Sequence, residues 1–501
     1  MYNGYGSEVT LNGMTIAPHT TQAVPYEAGA AYSVDVEGIS YTLMPMKSYA
    51  EAAIFINNSN VNDSELDIMG FLSKAKSGKA SATGAIVTPD GRTDNTGITK
   101  IKGRGNTSWG KPKKSYNITY SSMVNIAGMD AGKTFSVLAN YQDDLLSRNR
   151  ILYDLSDAVG MPYAPDSRYV DLYVNGFYWG SYQLCEKIEP GSLLPRVETG
   201  DYLNADGTVK EDIDFVVEID PSAGDDDNWI SVNDLKVTIN SPKLDPDDAG
   251  YDDVRSYVKE KLEAFYAATA RSGDLAGVAD IESLAKLYLI NELGKNWDSG
   301  AASTFFNHRR SDDGVYRFYG SPVWDYDNSM GNATGVKDDL RSFGVTDYEE
   351  YTGWWCRYKD ISGSGDEEPE NIIARISLHP DVQAAVPAIW FGDFVPALDH
   401  FAGNQYDSLI DAELKTREEY FALISDSAQM NYTSGWLLNT GAWIADHSTL
   451  NKAIYDTSAR EMKVDAAATT YGQTFTDMYN YAIDWMLSRA AWLSEQFAQG
   501  Y

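Results

Sequence analysis

The hydrophobic pattern of this 501-residue chain changes period near residue 250, and that change limits the architecture more than any single motif. Ahead of it stand short alternating runs, such as "AYSVDVEGISYTL", "KSYNITY", "TFSVLANY", "DFVVEID" and "LKVTIN", with the two-residue repeat of half-buried strands. Beyond it, "DDVRSYVKEKLEAFYAATA", "DIESLAKLYLINELGKN" and most of residues 370–501 carry helical spacing. A β-rich half feeding an α-rich half predicts an α+β fold of two lobes, with a cleft between them as the natural place for a ligand.

Four stretches are expected within that division. Residues 1–95, rich in Gly, Thr, Ser and Val, form an additional N-terminal β-rich segment. Residues 96–190 read as strand, strand, helix and hairpin, the helix being "DDLLSRNRILYDLSDAVG" up to Gly160 and the hairpin "RYVDLYVNGFYWGSYQLCEKI", turned by Asn-Gly. Residues 191–250 form an acidic loop-and-strand insertion, and residues 251–501 the mainly helical lobe.

Charge narrows the partners. With 73 Asp+Glu against 40 Lys+Arg, the formal net charge is −33, which repels nucleic acid and anionic lipid at long range and favours basic partners or metal-chelated anions. No apolar window approaches the ~18 residues of a membrane span, and the start "MYNGYGSEVT" has neither a basic nor an apolar leader region. A leader already removed would leave the same picture. Low cysteine with abundant Asp, Gly and Asn is compatible with export. Cys185 and Cys356 give no CxxC spacing and read as buried thiols, and the five histidines show no zinc spacing.

Three familiar patterns fail on inspection. "GMDAGKTF" lacks the P-loop, because position 127 is Ala where the first Gly of GxxxxGK[ST] belongs. "DPDDAG" from Asp245 has Ala249 and Ser256 at the fifth and twelfth positions of a calcium loop, where ligands are required. "GRGNTS" is only GxGxxS, with no βαβ unit around it.

The window "TKIKGRGNTSWGKPKKSYNITY" is exceptional, since no carboxylate occurs between Asp94 and Asp130. It reads as a phosphate clamp or as a solvated basic turn. As a clamp, Gly103 and Gly105 let the backbone approach an anion, Arg104 can hold phosphate bidentately, and Lys113 and Lys114 open a strand on which only one can face inward. Far downstream, Asp298 follows a helix in "NELGKNWDSG", and Asp325 and Asp327 stand in "GSPVWDYDNSMG". Phosphoryl transfer needs one carboxylate near the acceptor hydroxyl, one on the metal and a cation on the phosphates. The 27 residues from Asp298 to Asp325 fall in the range of about 20 to 30 that separates such acids in protein kinases. Taken singly, each Asp reads equally as an exposed acid in a capped turn.

Six blocks in order, "IKGRGNTSWGKPKKSYNITY", "GMDAGKTFSVLANYQDDLLSRNRI", "YVDLYVNGFYWGSYQLCEKI", "FVVEID", "NELGKNWDS" and "GSPVWDYDNSMG", resemble the CotH kinase family, the spore-coat protein H proteins, over roughly residues 96–335. That resemblance implies a divergent, atypical protein kinase-like fold that uses ATP and Mg2+. Residue by residue, it implies that Gly103, Arg104 and Gly105 lie over the nucleotide phosphates, with Lys114, or Lys113 beside it, as the phosphate lysine. Asp143 would hold that lysine, with Asp144 competing, and Glu186 to Ile188 would form the hinge against adenine. Asp298 matches the catalytic Asp and Asp325 the metal-binding Asp, with Asp327 able to join the metal after a turn. Many members carry an Asn five or six residues after the catalytic Asp, where this chain has Ser303 and Thr304. A hydroxyl is a poorer magnesium ligand, and Asn296, Asn307 or Asp327 can substitute.

The implied activity is transfer of the ATP γ-phosphate to Ser or Thr of a protein, and the negative charge points to a Lys-rich acceptor. Two alternatives stand beside it: a pseudokinase acting as a surface binding or adhesin protein, and a kinase-fold enzyme that transfers AMP. The expected location is secreted, or at a cell or spore surface.

Overall fold

A computed structural model of the chain describes residues 1, 3, 5–27, 30–43, 50–57, 80–90, 93–111, 113–174, 177–188, 197–200, 202–224, 228–332, 350–358, 368–404, 413–433, 454–456, 461–463 and 475–500. The chain divides into two compact units, one of Met1–Ser147, Asp166–Lys187 and Glu418–Tyr481, the other of Arg148–Pro165, Ile188–Arg417 and Ala482–Tyr501.

The first unit is mostly β. Strands β1 (Val9–Leu11), β2 (Met14–Ile16), β3 (Tyr32–Val36) and β4 (Ile39–Leu43) form a small antiparallel sheet in the order β2-β1-β3-β4. Alternation places Val9, Leu11, Val34 and Val36 on one buried face, which is its core. Strands β5 (Ala52–Asn57), β6 (Ala80–Val87), β7 (Thr93–Arg104), β8 (Ser115–Val124), β9 (Gly132–Leu138), β10 (Ser167–Val174) and β11 (Phe177–Glu186) form a closed barrel in the order β10-β11-β9-β8-β7-β6-β5. The last seam is the parallel pair of β10 and β5, so the N-terminal β-rich stretch supplies two staves of the same barrel as the basic window. Closure satisfies the edge groups that an open sheet would expose. The β10–β11 register pairs Val174 with Phe177; the Asn-Gly expected to turn this hairpin lies between them, outside the described residues.

The second unit mixes helices with one sheet. It begins with α1 (Arg148–Ala158), whose residues from Arg148 to Ser156 are all buried, with the Arg150 and Asp154 charges joined at 2.6 Å. Strands β12 (Phe215–Ile219), β13 (Trp229–Val232), β14 (Leu235–Ser241), β15 (Thr304–Arg310) and β16 (Tyr316–Tyr319) form an antiparallel sheet in the order β13-β14-β12-β15-β16. The acidic insertion thus supplies three strands of a sheet that two later strands complete, because apolar β15 and β16 need a partner for their buried faces. Between them run α2 (Tyr251–Ala268) and α3 (Ile281–Gly294). Helix α2 buries Val254, Val258, Leu262 and Phe265, the stripe its spacing predicts. Helix α3, capped where Asp280 accepts from the Ser283 N–H at 2.8 Å, is buried from Ser283 to Gly294 and so shows no polar face.

Helices α4 (Ile372–Leu378), α5 (Pro380–Ile389) and α6 (Val395–Phe401) follow, then α7 (Arg417–Thr433), the hairpin of β17 (Ile454–Asp456) and β18 (Glu461–Lys463), and α8 (Phe475–Ala498). The protein is an α+β fold, and no helix among the described residues is long and apolar enough to cross a membrane.

Candidate active site

The basic window forms the end of β7, a short turn and the start of β8, with Gly103 paired to Tyr116 and Arg104 to Ser115. Two glycines there are sterically required. A Cβ on Gly103 would overlap the Trp109 ring, and one on Gly105, at φ +82°, would overlap the Ser108 hydroxyl. The two lysines diverge as strand alternation demands. Lys114 donates to the carbonyls of Trp109 at 2.6 Å and Lys111 at 3.0 Å and lies 4.9 Å from the Trp109 ring centre. Partial burial draws its pKa down. Lys113 turns inward and is 1% exposed, bonded to the carbonyls of Ala139 at 2.9 Å and of Ser181, with the Tyr182 ring centre 4.5 Å away. Burial pulls its pKa down to about 7, with the Asp171 carboxylate opposing. Asp171 itself accepts from the hydroxyls of Tyr178 at 3.2 Å and Ser427 at 3.1 Å.

Asp143 is fully buried and accepts from the N–H groups of Leu145 at 3.0 Å and Ser147 at 2.8 Å, so it organises the turn that leads into α1; Asp144 is buried beside it in sequence. Glu186 closes β11, its carboxylate accepting from the Asp166 N–H at 3.1 Å. Burial raises its pKa to about 7; the Asp166 N–H and Arg168 oppose, while the Asp166 and Asp130 charges add to the rise. Ile188 is half-buried.

In the second unit, two loops carry the expected acids. Helix α3 stops where Lys295 turns left-handed at φ +45°, and the half-buried Asp298 follows, its N–H held by the Asn296 side chain at 3.2 Å. Its carbonyl accepts from the N–H groups of Ala301 and Ala302, both at 2.9 Å. Ser303, at φ +45°, donates its hydroxyl to Asp325 at 3.3 Å. Asp325 is itself left-handed at φ +65°, a conformation that costs a non-glycine residue about 1 kcal/mol. Helix α1 holds it there: Tyr153 Oη accepts from the Asp325 N–H at 3.3 Å, Asn149 Oδ1 from the Tyr326 N–H at 2.6 Å, and Tyr153 stacks on Trp324 at 5.8 Å. Asp327 accepts from the Asn328 amide at 3.2 Å.

Backbone bonds stitch the two loops together, from Trp297 N–H to Asn328 at 3.2 Å and from Met330 N–H to Gly294 at 2.7 Å. The structure therefore brings Asp298, Ser303, Asp325 and Asp327 onto adjoining loops. Asn307 is buried in β15 and donates to the Ser321 hydroxyl at 2.9 Å. The Oδ1 atoms of Asn307 and Asn328 are buried with no hydrogen-bond partner among the described residues. No cluster of three His, Cys, Asp or Glu occurs among the described residues, so a metal here would draw on hydroxyl and amide oxygens besides carboxylates. That all-oxygen donor set, with Asn328 Oδ1 next to Asp327, fits a hard cation such as Mg2+.

Sequence reasoning did not single out Asn149, Tyr153 or Asn328. The first two stand one helical turn apart in "RNRILYD", the only local signal that they act together. No curated protein matches the chain. The family model described as CotH kinase protein matches residues 101–362, from β7 through both acid-bearing loops and beyond, just over half of the 501 residues. Such membership suggests a kinase-like function, and on this match the chain belongs to the CotH kinase protein family.

Proposed function

We propose that this protein is a Mg-ATP-dependent protein kinase that transfers the γ-phosphate to Ser or Thr of a basic protein. The observation that carries this reading is the stitched pair of loops with Asp298 on one and Asp325 on the other, joined through Ser303. In this reading the first unit takes the part of the β-rich lobe and the second that of the helical lobe.

Asp298 lies beside the acceptor hydroxyl and takes its proton as the hydroxyl oxygen bonds to the γ-phosphorus and the bond to the β,γ-bridging oxygen breaks, leaving ADP. Asp325 would hold the metal, with oxygens of Asp327, Asn328 and Ser303 available beside it. Mg2+, when bound, neutralises charge developing on the phosphates. Arg104 and Lys114 meet the phosphates over Gly103 and Gly105, with Lys114 exchanging its carbonyl partners for phosphate oxygens. The enclosed Lys113 ties the carbonyl of Ala139, just past β9, to that of Ser181 in β11, Asp143 keeps the turn before α1 in shape, and Glu186 to Ile188 face adenine.

The chain's charge of −33 supports a Lys-rich acceptor, since such a segment is drawn in at low salt and less so as salt rises. A secreted or surface location fits the composition. Asp298→Ala should retain ATP binding by thermal shift while transfer to a Lys-rich Ser peptide falls by about 10²- to 10⁴-fold. Wild-type transfer in that variant would remove Asp298 from the mechanism. No transfer by the wild type to any acceptor would favour a binding protein, and a product heavier by one AMP would make the enzyme a nucleotidyltransferase.

A further inference from the structure

The Asp298 loop is fastened to a second segment. Asn296 accepts from Trp355 Nε1 at 2.8 Å, Lys295 donates to the Thr352 carbonyl at 2.7 Å, and the Ser299 hydroxyl meets the Cys356 thiol at 3.2 Å. Residues 352–356 thus hold the loop at three points around Asp298. That strap has its own anchor. Glu292, on the last turn of α3, accepts from the N–H groups of Trp355 at 2.6 Å and Cys356 at 2.8 Å. Arg489 of α8 donates to Glu292 Oε1 at 2.6 Å and to its carbonyl at 2.7 Å, and to the carbonyls of Tyr351 at 2.8 Å and Gly353 at 3.0 Å.

Both charged side chains are fully buried. One planar guanidinium therefore grips the end of α3 and the strap together, which a lysine, with donors on a single nitrogen, cannot span. Trp354 packs on Trp492 at 5.2 Å and Phe497 at 5.6 Å, with Arg357 4.5 Å from its ring centre.

We propose that Arg489, which lies outside the matched residues 101–362, is a positioning residue for Asp298, acting through Glu292 and the 351–356 strap. The role in catalysis rests on the kinase reading; the mechanical link does not. Reacting groups displaced by about 1 Å lose rate by about a hundredfold, so a loosened strap should lower kcat and spare KM for ATP.

The test uses Arg489→Lys, which keeps the buried charge of Glu292 compensated, and Trp355→Phe, which keeps an aromatic side chain and removes the indole bond to Asn296. In both full-length variants, hydrogen exchange should accelerate about tenfold or more in peptides covering 295–302 and stay unchanged in β12 and α2, with kcat down about tenfold and KM for ATP held. Unchanged exchange at 295–302 in both variants overturns the inference. So does acceleration spread evenly through the second unit, because Arg489 would then be a general stabiliser. If the wild type transfers no phosphate, the kinase reading fails while the exchange result still decides whether the strap governs the loop.

Discussion

Two of the cations that the protein buries, Lys113 and Arg489, are accommodated in different ways. In the barrel, Lys113 is enclosed among carbonyl dipoles and a tyrosine ring, and burial brings its pKa down to about 7. In the second unit, Arg489 is equally enclosed, but the Glu292 carboxylate lies 2.6 Å away and its donors reach three carbonyls as well. A buried ammonium without a close counter-ion can shed its proton, whereas a guanidinium cannot and must be matched. Lys113 is therefore a group whose charge follows pH, and Arg489 is a fixed clamp. The difference teaches that a basic residue in the expected window is not thereby a phosphate ligand; the half-buried Arg104 and Lys114 of the same turn are the better candidates.

The comparison breaks most visibly at Arg489. Arg489→Met leaves Glu292 buried and uncompensated, and urea denaturation should show a loss of about 3–5 kcal/mol; a loss below about 1 kcal/mol would mean the clamp is not matched as described. Lys113→Met should act through pH instead. The folded-state pKa of this lysine lies below its unfolded value of 10.5, so the unfolded chain binds more protons between about pH 7 and 10.5. Wild-type stability should therefore gain up to about 1.4 kcal/mol per pH unit from this group across that window and none below it. Denaturation series at stepped pH should find that increment missing in Lys113→Met; identical slopes would put the charge elsewhere.

Gly180→Ala should cost about 1–3 kcal/mol, because φ there is +135° and a Cβ would stand 2.9 Å from both Lys113 Cε and Asn431 Oδ1. Thermal melts that match wild type would show that the lysine has room. The smallest effect belongs to Asp171→Asn. Removing that charge should lower the Lys113 pKa further and move the start of the rising limb to lower pH; a move to higher pH would contradict the sign of the Asp171 influence.

Much of this was legible in sequence because it is local. Strand alternation sets β8 and β9, the stripe of α2 follows its spacing, and the family match over residues 101–362 covers the blocks that carry the resemblance. The rest rests on long-range contacts. Lys113 is selected by carbonyls 26 and 68 residues away, Asp325 is held by Tyr153 and its neighbour Tyr326 by Asn149 at separations of 172 and 177, and Arg489 meets Glu292 across 197. No periodicity encodes such pairs. Helix α3 also lacks a polar face to betray which side carries Glu292, since nearly every residue in it is buried.

The most direct measurement is the intact mass of the wild type and of Asp325→Ala after incubation with Mg-ATP and a Lys-rich peptide containing serine. Phosphate on the protein or the peptide, about 80 Da for each group added, should appear with the wild type and be absent with the variant, because the proposed mechanism gives Asp325 the metal that phosphoryl transfer uses. Equal addition by both proteins, or none by the wild type on itself or on the peptide, would contradict the assignment of the Asp298 and Asp325 loops as a phosphotransfer site.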